Sequence, residues 1–135
     1  YGIPSIGFSL TTHDPKADFS GAAHYGKIII DKYLEHPVNP DIFLNINIPA
    51  VPLEQIRGIR FCHQGKGQWI KEFEERKDPY GFNYYWMTGE FFSLEPNDTM
   101  ADHNIVAMNY ISIVPHKIDT TDYTELKRLE SLWKF

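Results

Sequence analysis

The sequence predicts an α/β fold, and the pattern of its first third supports this. A mostly apolar run at residues 3–10 is followed by an amphipathic segment, and residues 42–48 then alternate apolar and polar side chains. A strand, a helix and a second strand at this spacing indicate a parallel β-α-β crossover. Several short strand patterns between residues 58 and 115 add a β-rich region to this core.

The first strand and helix have clear limits. The apolar run at residues 3–10 predicts a strand covered on both faces. The chain starts at Tyr1 rather than Met, so we expect protein to precede this strand. Asp18 is the expected N-cap of a helix that continues to about Tyr33, and His36-Pro37 ends it because the residue before proline avoids the helical region.

The middle of the chain predicts a protruding hairpin. A short strand at residues 59–63 leads into two stretches with many charged and aromatic side chains, joined by Asp78-Pro79-Tyr80-Gly81. Proline at the second position of this tetrapeptide and glycine at the fourth favour a turn. The hairpin, at about residues 68–88, has more aromatic side chains than a small domain buries. We therefore expect this arm to contact another subunit.

The last third predicts one more strand and a final helix. Residues 98–108 form either a short helix or a structured loop, and residues 109–115 form a strand. Asp122 or Thr121 caps a helix with Glu125 as a capping-box residue, and its apolar positions are Leu126, Leu129, Leu132 and Trp133. The predicted organisation is a remainder of an α/β core at 1–57, a β-rich region at 58–115 and a C-terminal helix at 116–135.

Composition excludes several classes of protein. The 135 residues have a formal net charge of −5 and no run of Lys or Arg, so we expect no DNA binding. No stretch reaches the roughly 18 apolar residues that span a bilayer, so we expect no membrane partner. The single cysteine excludes an internal disulfide and any zinc site made from paired cysteines. A cytoplasmic protein is the expectation.

Local motifs do not reveal a reaction. The six histidines show no HExxH pattern, and Gly65-Lys66-Gly67 lacks the spacing of a phosphate loop, which favours a flexible entry to the hairpin. Ser5 and Ser9 lack a nucleophile elbow, and Cys62 is expected to pack as a small apolar residue. A Mg²⁺ site needs several acidic residues close together, but the candidates are spread over two loops: Asp98, Asp102, Asp119 and Asp122. For Asp119 and Asp122 we expect capping or hinge roles.

Asp102-His103 is the best local candidate for acid-base chemistry. Adjacent residues point in different directions on a helix or a strand, so we do not expect a joint role for this pair. The simpler interpretation is that Asp102 and His103 are solvated loop residues, because sequence spacing alone does not show whether the pKa of either group is shifted.

The order of the motifs resembles the C-terminal half of the SurE family, stationary-phase survival proteins that are metal-dependent 5′/3′-nucleotidases. The most specific match is Leu44-Asn45-Ile46-Asn47-Ile48-Pro49, which is similar to the family's LNVNVP. Tyr80, Ala101 and Asn109 depart from the pattern, where the family has Arg, Thr and Gly. The other matching segments are Gly2–Leu10, Gly58–Arg60, Asp78–Gly81 with Tyr85-Trp86, Asp102 eight residues before Tyr110–Pro115, and Asp119–Thr121.

The resemblance implies the C-terminal part of a Rossmann-like SurE fold. It further implies a nucleoside monophosphate substrate, a divalent cation (Mg²⁺ or Mn²⁺), and a homo-oligomer built through the hairpin and the C-terminal helix. The family's cation ligands lie in an NDDG motif, a following Ser and an Asn before an SGT segment, none of which occurs in this sequence. The chain would then hold no catalytic or metal ligand and be inactive alone, with only Asp102 expected beside the substrate.

Two alternatives remain open at this point. One is a non-enzymatic oligomerisation module that kept the arm and has no metal-binding half. The other is an unrelated hydrolase with a local site at Asp102 and His103.

Overall fold

The structure is a computed structural model that describes residues 3–134. Three residues lie outside the described residues: Tyr1, Gly2, which begins the first matching segment, and Phe135, which ends the predicted C-terminal helix region at 116–135. The elements in chain order are β1 (Ser5–Leu10), α1 (Ser20–Glu35), β2 (Ile42–Ile48), a 3-10 turn (Leu53–Gln55), β3 (Ile59–Phe61), β4 (Gly67–Ile70), β5 (Phe73–Lys77), β6 (Asn83–Met87), β7 (Glu90–Ser93), α2 (Asp102–Ala107), β8 (Ile111–Lys117) and α3 (Tyr123–Leu132).

A four-stranded mixed sheet in the order β1-β2-β8-β3 holds the fold together. β1 and β2 are parallel and are connected by α1, which confirms the predicted β-α-β unit. β8 lies antiparallel to β2 and parallel to β3. The fold class is therefore α/β, as predicted. The sheet takes strands from residues 1–57 and from 58–115 alike, so these two segments share one structural core.

The two faces of the sheet carry different cores because side chains alternate along each strand. On one face, Ile46 and Ile111 are fully buried and pack with Ile29 of α1. On the other face, Ile105 of α2 packs against Val114 and Cys62. Cys62 thus packs as a small buried residue, as predicted.

β1 is less covered than its apolar sequence predicts. Its one ladder partner within residues 3–134 is β2, and four of its six residues are exposed. Phe8 keeps 40% of its surface accessible. The expectation of a strand covered on both faces is wrong for this chain, because Ser5, Gly7 and Ser9, which share one face of the strand, are all exposed.

The start of α1 also differs from the prediction. The helix begins at Ser20 with Phe19 at the N-cap position, one residue after the predicted cap. Asp18 lies just outside the helix, where its carboxylate accepts hydrogen bonds from the backbone N–H of Ser20 at 2.9 Å and from the Ser20 hydroxyl at 2.8 Å. The helix ends at Glu35, immediately before His36-Pro37, as predicted.

The arm is longer than the predicted hairpin. It consists of two antiparallel ladders, β4 with β7 and β5 with β6, and covers residues 67–93. The ladders meet where Lys71 (φ 53°) and Gly89 (φ 133°) have left-handed backbone, and the Thr88 hydroxyl donates to the Lys71 carbonyl at 2.8 Å. The turn at Asp78–Gly81 is confirmed, since the Gly81 N–H donates to the Asp78 carbonyl at 3.0 Å.

The structure decides between a helix and a loop for residues 98–108, and it gives the limits of the strand that follows. Residues 98–108 contain the six-residue helix α2, and the predicted strand at 109–115 is shifted to Ile111–Lys117. Pro115 is tolerated because the β3 ladder ends at Ile113, so β8 needs no second set of backbone donors there. Asn109 has φ 62°, which asparagine adopts more readily than most residues.

α3 lies on the surface of the described chain. The Asp122 carboxylate accepts from the N–H groups of Thr124 and Glu125, both at 3.0 Å, which confirms Asp122 as the cap. Glu125 does not complete a capping box; its carboxylate pairs with Arg128 instead. Trp133 is the C-cap rather than part of the helix. None of the helices in residues 3–134 has the length and apolar character to cross a membrane.

Candidate functional site

A cleft of about 470 Å³ lies beside the carboxyl ends of the parallel strands β1 and β2. Its walls come from the loop Thr11–His13 after β1, from Asn47 near the end of β2, and from Asp102 and His103 at the start of α2. Ligands of open α/β sheets bind beside the carboxyl ends of the strands. This cleft is therefore the candidate site that the fold itself favours.

The Thr11 side chain and backbone join the two strand ends. The Thr11 N–H donates to the Ile48 carbonyl at 3.0 Å. The Thr11 hydroxyl accepts from the N–H of Ala50 at 3.1 Å. These two bonds hold the β1 loop against the end of β2 and so fix one wall of the cleft.

A row of polar residues crosses the sheet beneath this wall. Ser9 is paired with Asn47, Asn47 with Ser112, and Ser112 with Arg60, so all four share one face. Ser112 is fully buried, and its hydroxyl has no hydrogen-bond partner among the described residues. Asn47, a member of this row, also lines the cleft.

Asp102 both lines the cleft and holds its rim. Its Oδ1 accepts from the N–H of Gly65 at 3.0 Å and from the N–H of His103 at 2.8 Å. The bond to Gly65 ties the start of α2 to the segment that enters the arm. Burial raises the pKa of the Cys62 thiol, and the negative charge of Asp102 raises it further.

The structure brings Asp102 and His103 closer together than sequence reasoning predicts. His103 Nδ1 lies 3.5 Å from Asp102 Oδ1, because Asp102 turns back over the helix start to accept backbone donors. His103 Nε2 lies 2.7 Å from the Ser93 hydroxyl, and its ring packs edge-on to Phe91 at 5.1 Å. The argument that adjacent residues point apart is wrong at this helix N-terminus.

Ser93, His103 and Asp102 nevertheless lack the geometry of a hydrolytic triad. A separation of 3.5 Å is too long for the histidine-aspartate hydrogen bond that orients the ring. Ser93 is outside the described lining of the cleft, and its hydroxyl already accepts from the N–H of Glu95 at 3.1 Å. The arrangement favours a packing role for these residues over a local hydrolase site.

Asp98, another candidate carboxylate from the sequence, is held by its own neighbours outside the cleft lining. Asp98 accepts from the Met100 N–H at 2.8 Å and lies 3.1 Å from His63 Nε2. The hydrogen bond to the Gln64 carbonyl raises the pKa of His63, and the negative charge of Asp98 raises it further. The hydrogen bond from the Met100 N–H lowers the pKa of Asp98, and the nearby His63 lowers it further. Each of these two groups thus favours the charged form of the other.

Asp119 lies far along the chain from the cleft residues, in the lead to α3. Hydrogen bonds from the Tyr123 hydroxyl and from Thr121 lower its pKa to about 2. Within residues 3–134, no three His, Cys, Asp or Glu side chains are grouped so that they could hold a metal ion. The four aspartates considered from the sequence therefore do not converge.

Sequence reasoning missed His13, Asn47 and Trp69 as cleft residues. His13 was one of six unpatterned histidines, and Trp69 was one aromatic residue of the arm. The signal that places His13 and Asn47 is positional: each lies at or just beyond the carboxyl end of a predicted parallel strand. Nothing local places Trp69, because the approach of the arm base to the β1 loop is a tertiary feature.

Comparison with known proteins identifies the family. The profile for "Survival protein SurE" matches residues 1–71. The chain is 38% identical over 134 residues to the 5′-nucleotidase SurE of Cytophaga hutchinsonii, covering 99% of this chain and 51% of that protein. It is 40% identical over 130 residues to the 5′-nucleotidase SurE of Bacteroides fragilis, covering 96% of this chain and 50% of that protein.

A solved structure agrees with these matches. The crystal structure of the SurE protein from Aquifex aeolicus superposes with a TM-score of 0.74 at 33% identity, covering 97% of this chain and 52% of that one. The chain thus spans about half the length of the curated relatives it matches. On the profile match and the shared fold, the chain belongs to the SurE family.

Proposed function

We propose that this chain is part of a metal-dependent 5′/3′-nucleotidase that hydrolyses the phosphate monoester of nucleoside monophosphates. The observation that carries the proposal is 38–40% identity, over nearly the whole chain, to proteins named 5′-nucleotidase SurE. The cleft beside the ends of β1 and β2 supports it, because it lies where an α/β sheet binds its ligands. Among the described residues β1 has no ladder partner other than β2, which leaves its other edge open to further protein.

The described residues do not by themselves fit a divalent-cation site. Mg²⁺ and Mn²⁺ prefer several oxygen ligands, and no three candidate ligands converge in residues 3–134. Asp102 Oδ1 already accepts two backbone N–H groups. We infer that the cation ligands lie in an N-terminal half outside this chain, and that the chain alone is inactive.

Asp102 is proposed to lie beside the bound substrate rather than to react with it. Its carboxylate forms part of the cleft wall, and its two backbone partners fix the start of α2 against Gly65. A carboxylate held in this way fixes the position of the cleft wall. This assignment keeps the chain free of catalytic residues.

A homo-oligomer is proposed through the arm and α3. No residue of β5, β6 or α3 is buried, and both elements carry large apolar side chains, such as Met87 at 82% and Leu132 at 61% accessible surface. Exposed apolar area of this extent marks an interaction surface in water. A second copy of the chain has the same two surfaces, so its arm and α3 could bury these exposed apolar side chains.

The proposal is tested on the complete protein, meaning this chain joined to an N-terminal half like that of its relatives. We expect it to release phosphate from nucleoside monophosphates with Mg²⁺ or Mn²⁺. A chelator is expected to lower the rate at least about 100-fold, since several kcal/mol of charge stabilisation depend on the cation. Re-addition of the cation should restore the rate. Turnover that survives the chelator contradicts the proposal, and so does a complete protein with no phosphatase activity.

A further inference from the structure

Two clefts meet at the base of the arm. The cleft at the strand ends adjoins a second one of about 620 Å³, and His13 and Trp69 line both. The first has hydroxyl and amide groups from Thr11, Thr12 and Asn47. The second is lined mainly by arm residues on the far side of Trp69. Trp69 therefore stands at the junction between a polar region and an aromatic one.

The Trp69 indole is held in place but remains accessible. Its ring packs edge-on to Phe91, with centroids 5.8 Å apart. A Cβ at Gly89 would lie 3.1 Å from Trp69 Cε3, so glycine lets the indole lie close against the backbone there. Even so, 56% of the residue's surface is accessible to solvent. A fixed indole with open surface is the kind of platform on which nucleobases stack.

The charges of the two clefts decide which part of a nucleotide fits here. Asp102 lines the first cleft and Glu72 the second, so each of the two clefts that Trp69 borders has an acidic residue in its wall. These carboxylates disfavour a phosphate group at this position, since like charges repel. An uncharged base, which also carries N–H donors, suits aromatic and carboxylate walls. The phosphate must then point away from the arm.

We propose that Trp69, with His13 beside it, forms a nucleobase-binding wall, so that the base of the arm belongs to the substrate site. This inference rests on the proposed nucleotidase function and names its base subsite. It gives the arm a second role beside assembly: it distinguishes nucleotides from phosphate esters that lack a base.

The test compares two esters on the complete protein, adenosine 5′-monophosphate and ribose 5-phosphate. Trp69→Ala is expected to raise KM for the nucleotide about 10-fold, since stacking on one aromatic side chain is worth this much. It should raise KM for ribose 5-phosphate far less, so that the ratio of the two KM values changes. Trp69→Phe keeps a flat ring and should recover most of the loss.

The matched control is Trp86→Ala. Trp86 is in the same arm with a similar accessible fraction, 54%, but lies outside both clefts. Its substitution should leave the ratio of the two KM values unchanged, whatever it does to assembly. Equal effects of Trp69→Ala on both esters, no effect on either, or a shifted ratio in Trp86→Ala would each overturn the base subsite.

A binding measurement separates this inference from the proposed function. Equilibrium dialysis with adenosine, which has no phosphate, should show binding that Trp69→Ala weakens about 10-fold. A protein that binds adenosine in this way but hydrolyses neither ester refutes the nucleotidase and keeps the subsite. A protein that hydrolyses both esters equally well and binds no adenosine refutes the subsite and keeps the phosphatase.

Discussion

A chain without its arm is expected to elute from size-exclusion chromatography at a lower multiple of its own mass than the intact chain. The arm presents large apolar side chains to solvent, with Phe73 at 62% and Tyr85 at 59% accessible surface. Fully burying one such side chain stabilises a contact by about 1.5–3 kcal/mol. Removing several of them should shift the assembly to smaller species at micromolar concentration.

The stem of the arm allows a clean deletion. The Leu94 N–H donates to the Lys66 carbonyl at 3.0 Å, so residues 67–93 can be replaced by a two-glycine link. Lys66 is also joined to Glu95 through its backbone N–H and its Nζ, both at 2.9 Å. These bonds hold the stem when the arm is absent. An unchanged multiple of the chain mass would show that the arm is not the interface.

Point variants locate the contacting face. Phe73 is paired with Met87, and Glu75 with Tyr85, which places these side chains on one face of the hairpin. The double substitution Tyr85→Ser and Met87→Ser should reproduce the effect of the deletion. The control is Tyr84→Ser, since Tyr84 is paired with Arg76 on the opposite face. If the control dissociates the assembly as strongly, the assignment of the face is wrong.

Gly65→Ala is expected to destabilise the wall of the cleft by about 1–3 kcal/mol, the usual cost of overpacking. A Cβ at this position would lie 2.3 Å from His103 Nδ1 and 3.0 Å from the Cβ of Ala101. The His103 ring has little room to move because it packs on Phe91 and lies 2.7 Å from the Ser93 hydroxyl. Moving the segment instead would stretch the bond from Gly65 to Asp102.

Urea unfolding measures this cost. The control is Gly7→Ala, whose Cβ would meet its nearest neighbour, the Leu44 carbonyl, at 3.9 Å. We expect that variant to unfold within about 0.5 kcal/mol of the original chain. In a His103→Ala background, Gly65→Ala should cost clearly less, because the ring that it meets is gone. An equal cost in both backgrounds would contradict the assigned contact.

The sequence predicts the individual strands and turns of this fold better than it predicts which of them are buried. The alternation at residues 42–48 and the turn at Asp78–Gly81 are local signals, and both are confirmed. The exposure of β1 is not local: an apolar run predicts burial, but burial depends on which elements lie beside the strand. The helix start was misplaced by one residue because Asp18 makes a cap-like bond from just outside the helix.

The candidate site shows the same division. The family motif predicts Asp102 beside the substrate; Asp102 does line the cleft, and its place beside a substrate stays a prediction. The role of Gly65 was mistaken for flexibility; the Gly65-Lys66-Gly67 segment does lead into the arm, but its glycines make room for the His103 and Phe91 rings. Such close approaches, and the lining of one cleft by both Trp69 and His13, depend on packing between distant segments. Periodicity and motif spacing carry no information about them.

We expect this chain to supply a cleft wall and assembly surfaces, and the cation ligands to come from another half of the protein. Calorimetric titration of Mn²⁺ into residues 1–135 and into the complete protein measures this division. One cation per protomer should bind to the complete protein, and none to the chain alone at millimolar Mn²⁺, about the weak end of protein sites for divalent cations. Stoichiometric binding of Mn²⁺ to the chain alone would contradict it.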